Sequence, residues 1–203
     1  MEYKQIVCPC CNKNVSLPLN QFSRGFDFDY SILINSTEEF FDQVDICPEC
    51  GYVMLFDNGI SDEMREYIKT DEYRNILNDG SLEEGLKKWI LYAILTESDE
   101  NYTEAGIAYT KAYDYMELKD MQPDVRLIEK AASCFLSAAV EDTSLFDAVL
   151  AVDAMRRSGD LEGAKGFLDK ISNTFEGELA DKLIAKERMW ISLGSSQKWY
   201  LDI

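Results

Sequence analysis

Apolar and polar residues follow two different rhythms along this chain, and the change of rhythm divides it. In the first 57 residues the apolar positions alternate with polar ones over short runs, the period of half-buried strands: Tyr3 to Val7, Val15 to Leu17, Phe26 to Ile32 and Val53 to Phe56. From Ser61 onward the apolar residues return every three or four positions, the spacing of a helix face. Helices are expected at 61–78, 82–97, 102–119, 124–141, 145–158, 161–174 and 177–193. The turn-forming triplet Asp57-Asn58-Gly59 marks the change, so a small module at 1–57 and an all-helical domain at 58–203 are expected.

Punctuation supports the helix series. Asp79-Gly80-Ser81 reads as a terminating glycine followed by an N-cap, with Glu84 three residues after Ser81 as in a capping box. Pro123 interrupts and restarts the chain, because proline is tolerated without strain only in a helix's first turn. Gly159-Asp160 is a tight link. Around that link, Ala151, Val152, Leu161, Ala164 and Leu168 alternate small and large apolar residues as a tetratricopeptide helix pair does. Trp89, Ala93, Tyr102, Ala105, Tyr109 and Ala112 fit the same template. The two matches lie 59 residues apart, not a multiple of the roughly 34-residue repeat, so a tetratricopeptide-like domain and not a regular array is expected, the alternative being an irregular helical bundle with alanines on its packed faces.

The alternating segment also carries the chemistry. Five of six cysteines lie in the first 50 residues, and four form two C-x-x-C knuckles that each begin Cys-Pro: Cys8 with Cys11, and Cys47 with Cys50. Two intervening residues let both sulfurs of one tight turn reach a metal at about 2.3 Å, and two such turns complete a tetrahedron. Gly51, and Asn12 at the matching place, suit the left-handed backbone that turns an amide toward sulfur. Four thiolates favour zinc, held by Cys8, Cys11, Cys47 and Cys50 in a closed structural site with no open position for water. Cys10 reads as a spacer and Cys134 as a small core residue.

Composition then removes whole classes of function. There is no histidine, which excludes histidine-dependent triads and mixed cysteine-histidine metal sites. No phosphate loop or dinucleotide fingerprint is present, and no pair among the 38 acidic residues is singled out by its neighbours, so no enzyme is expected. Net charge is −18, and residues 1–56 hold three basic against eight acidic residues, a field that repels nucleic acid and anionic lipid. The longest apolar run, Trp89 to Leu95, is seven residues, against the roughly 20 of a membrane span. Met1-Glu2-Tyr3-Lys4-Gln5 lacks the basic start of a secretory signal, so a cytoplasmic, reducing environment is expected.

The knuckle segments Val7-Cys8-Pro9-Cys10-Cys11 and Phe41 to Tyr52, with the helix Ala105 to Tyr113, resemble a bacterial family of uncharacterised proteins that carry a four-cysteine zinc-ribbon-like module ahead of tetratricopeptide-like helices. Members often have glycine where this chain has Asn12. The resemblance implies a mainly α fold with a small N-terminal β module, and no activity. The expected role is therefore a non-enzymatic zinc-binding interaction or scaffold protein, the alternative being a thiol redox sensor that releases zinc on oxidation. A concave helical face drawn from 89–97 and 145–158 would take a basic or amphipathic peptide, with Tyr92 and Tyr109 as aromatic anchors.

Overall fold

The structure, a computed structural model, describes residues 3–18, 44–55 and 59–197. The expected strand at Phe26 to Ile32, the end of the strand expected to reach Phe56 and most of the Asp57-Asn58-Gly59 boundary lie outside the described residues. Among those described, the strands form two antiparallel hairpins. β1 (Tyr3–Val7) pairs with β2 (Asn14–Pro18), from Tyr3 opposite Pro18 to Val7 opposite Asn14. β3 (Val44–Ile46) pairs with β4 (Val53–Leu55), Val44 facing Leu55. Each hairpin has one cysteine knuckle as its turn.

Eight helices follow among the described residues: α1 (Asp62–Tyr67), α2 (Asp71–Asn78), α3 (Glu84–Ser98), α4 (Tyr102–Leu118), α5 (Val125–Asp142), α6 (Leu145–Ser158), α7 (Leu161–Ile171) and α8 (Glu178–Ser192). The molecule is thus mainly α with a small N-terminal β region, as the periodicity predicts. The single helix expected at 61–78 is instead two. Thr70 breaks it, because its side chain donates to the Tyr67 carbonyl at 2.7 Å and accepts the Tyr73 amide at 3.3 Å as an N-cap. The capping box at Ser81 also fails. Ser81 is folded back on Asp79 Oδ1, at 2.6 Å from its hydroxyl, and Glu83 caps α3 by accepting from the Gly85 and Leu86 amides.

From α3 onward each helix packs on its successor, and α8 closes on both α6 and α7. Successive helices thus pack as hairpins. Small residues set the spacing: Ala93, Ala105, Ala112, Ala148, Ala151 and Ala164 are all fully buried. At Gly106 a β-carbon would stand 2.7 Å from the Phe135 ring, so α4 and α5 approach this closely only with glycine there. Gly159 ends α6 in the left-handed conformation, φ 93°, and Asp160 caps α7 by accepting from Gly163 at 2.9 Å. α3 is the pivot of the fold, since it packs against α4 on one side and against α1, α2, β3 and β4 on the other. One apolar cluster consequently runs without interruption from Val15 and Val44 through Trp89 to Leu183. Among the described residues no helix is long and apolar enough to cross a membrane.

Candidate metal centre

The two knuckles have the same backbone wiring. In the first, the Cys8 amide donates to the Lys13 carbonyl at 2.9 Å and the Asn12 amide returns to the Cys8 carbonyl at 2.9 Å. In the second, Cys47 donates to Tyr52 at 2.8 Å and Gly51 returns to Cys47 at 2.9 Å. Asn12 (φ 57°) and Gly51 (φ 79°) are both left-handed, as their positions after the last cysteine require. The positions differ in room. A β-carbon at Gly51 would lie 2.4 Å from Leu77 Cδ2 of α2, so this residue is fixed by packing as well as by backbone.

Facing each other, the turns bring Cys8, Cys11, Cys47 and Cys50 together with all four sulfurs within 4.8 Å of one another. Cys8 Sγ is 3.7 Å from Cys50 Sγ, and Cys11 Sγ is 3.9 Å from Cys47 Sγ. A tetrahedron of thiolates around zinc, with arms of about 2.3 Å, has edges of about 3.8 Å. The donor set therefore fits a single four-coordinate ion in size and in ligand type. It is the one group of three or more metal-ligating side chains that converges in this way among the described residues. Cys8 and Cys47 are 0% and 1% exposed, while Cys11 and Cys50 are half-buried. Burial pushes the Cys8 thiol up to about 11, against the amides of Cys11 and Cys10 that lower it. Burial raises Cys50 as well. Cys11 stands below its ordinary value: burial acts upward, but the Lys13 amide and the neighbouring thiols outweigh it. A cation at the centre would favour the thiolate at all four.

The helices hold both turns. Arg65 of α1 donates to the Pro9 carbonyl at 2.8 Å and to the Cys10 carbonyl at 2.7 Å. Tyr73 of α2, fully buried, donates its hydroxyl to the Gly51 carbonyl at 2.8 Å. Lys88 of α3 reaches Asp45 of β3 at 3.3 Å, and Lys13 bridges to Glu49 of the other knuckle at 2.5 Å. Cys10 is half-buried and outside the converging set, and Cys134 lies in the core of α5, where burial raises its thiol to about 12.

The expected peptide face is not where its residues were placed. Tyr92 and Tyr109 are 4% and 1% exposed. Tyr92 donates to Glu104 at 2.8 Å and Tyr109 to Glu97 at 2.5 Å, so both rings are core residues with a polar handle at the edge. Residues 91–96 and 147–154 are buried throughout, so most of the two strips expected to form that face is covered. A groove of about 330 Å³ lies between α7 and α8, lined by Leu161, Lys165, Leu168, Asp169, Arg188 and Ile191.

The periodicity also passes over a buried charge cluster. Arg156 and Arg157 end α6 inside the protein. Arg156 pairs with Asp153, with Glu187 of α8 at 3.1 Å, and with the Ser195 and Gln197 carbonyls at 2.6 and 2.7 Å. Arg157 pairs with Asp114 of α4 at 2.5 Å and Glu117 at 3.1 Å. Burial alone would lower the Arg157 guanidinium; the Asp114 and Asp153 carboxylates reverse this and hold it above its ordinary value. The i, i+3 spacing of Asp153 and Arg156 was readable, but their partners on α4 and α8 were not. No family model, no curated protein and no solved structure matches this chain.

Proposed function

We propose that the chain is a non-enzymatic, zinc-binding scaffold protein of the cytoplasm, its ribbon-like N-terminal region held by one structural zinc ion. The observation that carries this reading is the convergence of Cys8, Cys11, Cys47 and Cys50 to tetrahedral spacing with both carrier turns wired alike. Four protein thiolates fill the coordination of zinc, so the ion would act as a cross-link and not as a Lewis acid. The interaction part of the proposal rests on the groove between α7 and α8. Its lining of apolar residues and of charges of both signs suits an amphipathic protein segment better than a purely basic one.

Elemental analysis of protein purified without chelator tests the metal. One zinc per chain is expected, falling toward zero in a Cys47→Ala variant and unchanged in Cys10→Ser. Zinc retained by Cys47→Ala sinks the assignment. Mild peroxide separates the two roles of such a site: a structural ion stays bound, whereas rapid stoichiometric release would favour a redox sensor. For the groove, capture from native cytosol with the wild-type chain and with Ile191→Asp is decisive. A partner held equally well by both rules the groove out.

A further inference from the structure

The first knuckle is gripped from outside the metal site in a way the second is not. Its two central peptide units carry the Pro9 and Cys10 carbonyls, and each receives one nitrogen of the Arg65 guanidinium, at 2.8 and 2.7 Å. In a trans peptide the N–H points opposite to the C=O of the same unit, and no cis peptide occurs among the described residues. The N–H partners of those two carbonyls are the amides of Cys10 and Cys11. Both therefore face away from Arg65, within the turn that joins Cys8 to Cys11. One planar guanidinium thereby fixes the tilt of both peptide planes between two ligand cysteines. A bidentate fork of this kind is a property of arginine, because its nitrogens lie in one rigid plane, and lysine offers only a point charge.

We propose that Arg65 is a positioning residue for the metal centre: from α1 it presets the two peptide planes between Cys8 and Cys11, so that the first knuckle is formed before the ion arrives. This inference rests on the zinc reading above. The backbone of the second knuckle receives the Tyr73 hydroxyl on Gly51 and packs against Leu77, with no guanidinium fork on it among the described residues. The guanidinium also brings positive charge to a site that, with four thiolates and one divalent ion, carries two negative charges. Outer contacts that orient metal ligands commonly change metal affinity by about 10- to 100-fold.

The test is competition for zinc between the full-length protein and a chromogenic chelator, with helical circular dichroism as the check on folding. Arg65→Met and Arg65→Lys are each expected to lose zinc affinity by about tenfold or more, while Arg126→Met, at an exposed site, stays at the wild-type value. Should Arg65→Met fail to fold, Arg65→Lys decides alone, since it keeps the charge and the stem and removes the fork. Wild-type affinity in Arg65→Lys overturns the proposal. If Cys47→Ala loses zinc while Arg65→Lys holds it normally, this inference fails and the zinc reading stands; if Cys47→Ala keeps zinc, the zinc reading itself fails.

Discussion

Two polar centres buried among the described residues are built on opposite logics. The cysteine centre gathers four ligands from two five-residue turns, and its design is local: each turn is a complete half-site before the other is in place. The arginine centre gathers charges from α4, α6 and α8, residues that are up to 73 positions apart counting from Asp114 to Glu187. It exists only once the helices have packed. On the zinc reading the first centre takes its counter-charge from an ion, whereas the second satisfies its charges largely from within. A local centre can be strong in isolation and weakly attached; a distributed one is strong only as part of the whole.

Removing the ion is the harshest way to test that contrast. Apparent binding energies of structural zinc run to about 10 kcal/mol or more at neutral pH, so the chelated protein should lose amide-exchange protection across residues 3–18 and 44–55. Helices α4 to α8 should keep theirs, and α1 and α2, which grip the knuckles, should lose part. Exchange followed by mass spectrometry reads this directly. Loss of protection along the whole chain would mean that α3 couples the two regions into one cooperative unit.

Breaking the arginine centre should do the reverse. Arg157→Ala breaks the buried 2.5 Å ion pair with Asp114, and breaking a buried pair by removing one partner costs up to about 3 to 5 kcal/mol. Urea unfolding should show that loss with zinc content unchanged. A cost below about 1 kcal/mol would place the pair among interactions that merely tolerate burial.

A finer comparison separates the two knuckles. Gly51→Ala meets both a left-handed backbone and Leu77 at 2.4 Å, and about 1 to 3 kcal/mol of thermal stability should go. Asn12→Gly relieves a left-handed non-glycine residue and should change stability by about 0.5 kcal/mol or less. Equal effects at the two sites would show that packing against α2 contributes nothing.

The smallest effect belongs to acid. Burial raises the Glu83 carboxyl, but the Tyr115 hydroxyl and the Leu86 and Gly85 amides outweigh it and hold the group below its ordinary 4.5. A depressed carboxylate stabilises the fold above its unfolded value and loses that contribution as pH falls through the folded one. Glu83→Gln should therefore flatten the stability profile below pH 4.5, by about 0.5 kcal/mol after solvent screening. An unchanged acid limb would remove Glu83 from the capping of α3.

How much of this was legible in the sequence follows the same division. The knuckles were readable to the residue, even to the left-handed backbone at Asn12 and Gly51, because a C-x-x-C turn is specified by five consecutive residues. Helices α4 to α8 were readable from period and punctuation, and α3 from period alone, since its expected cap at Ser81 is not the one used. The break at Thr70 was not, since a threonine inside an apolar period competes with the helix only by local hydrogen bonds that the period does not register. Tyr92 and Tyr109 misled for a different reason. A helical stripe of aromatics looks the same whether it faces a groove or a neighbouring helix, and only the packing of α3 on α4, and of α4 on α5, decides. The partners of Arg156 and Arg157 were invisible because pairing across helices depends on tertiary register.

The 3.9 Å approach of Cys11 to Cys47 also has a topological side. These two sulfurs tie a ring of chain around the 35 residues between them. Bringing its ends together out of the unfolded state carries an entropic cost that rises only with the logarithm of ring length, about 0.6 kcal/mol for each doubling. The clasp is therefore nearly indifferent to how much sequence it encloses. A length change within the ring but outside β2 and β3 would alter that closure cost little, whereas the strands and the two turns are held to their lengths by their own pairing.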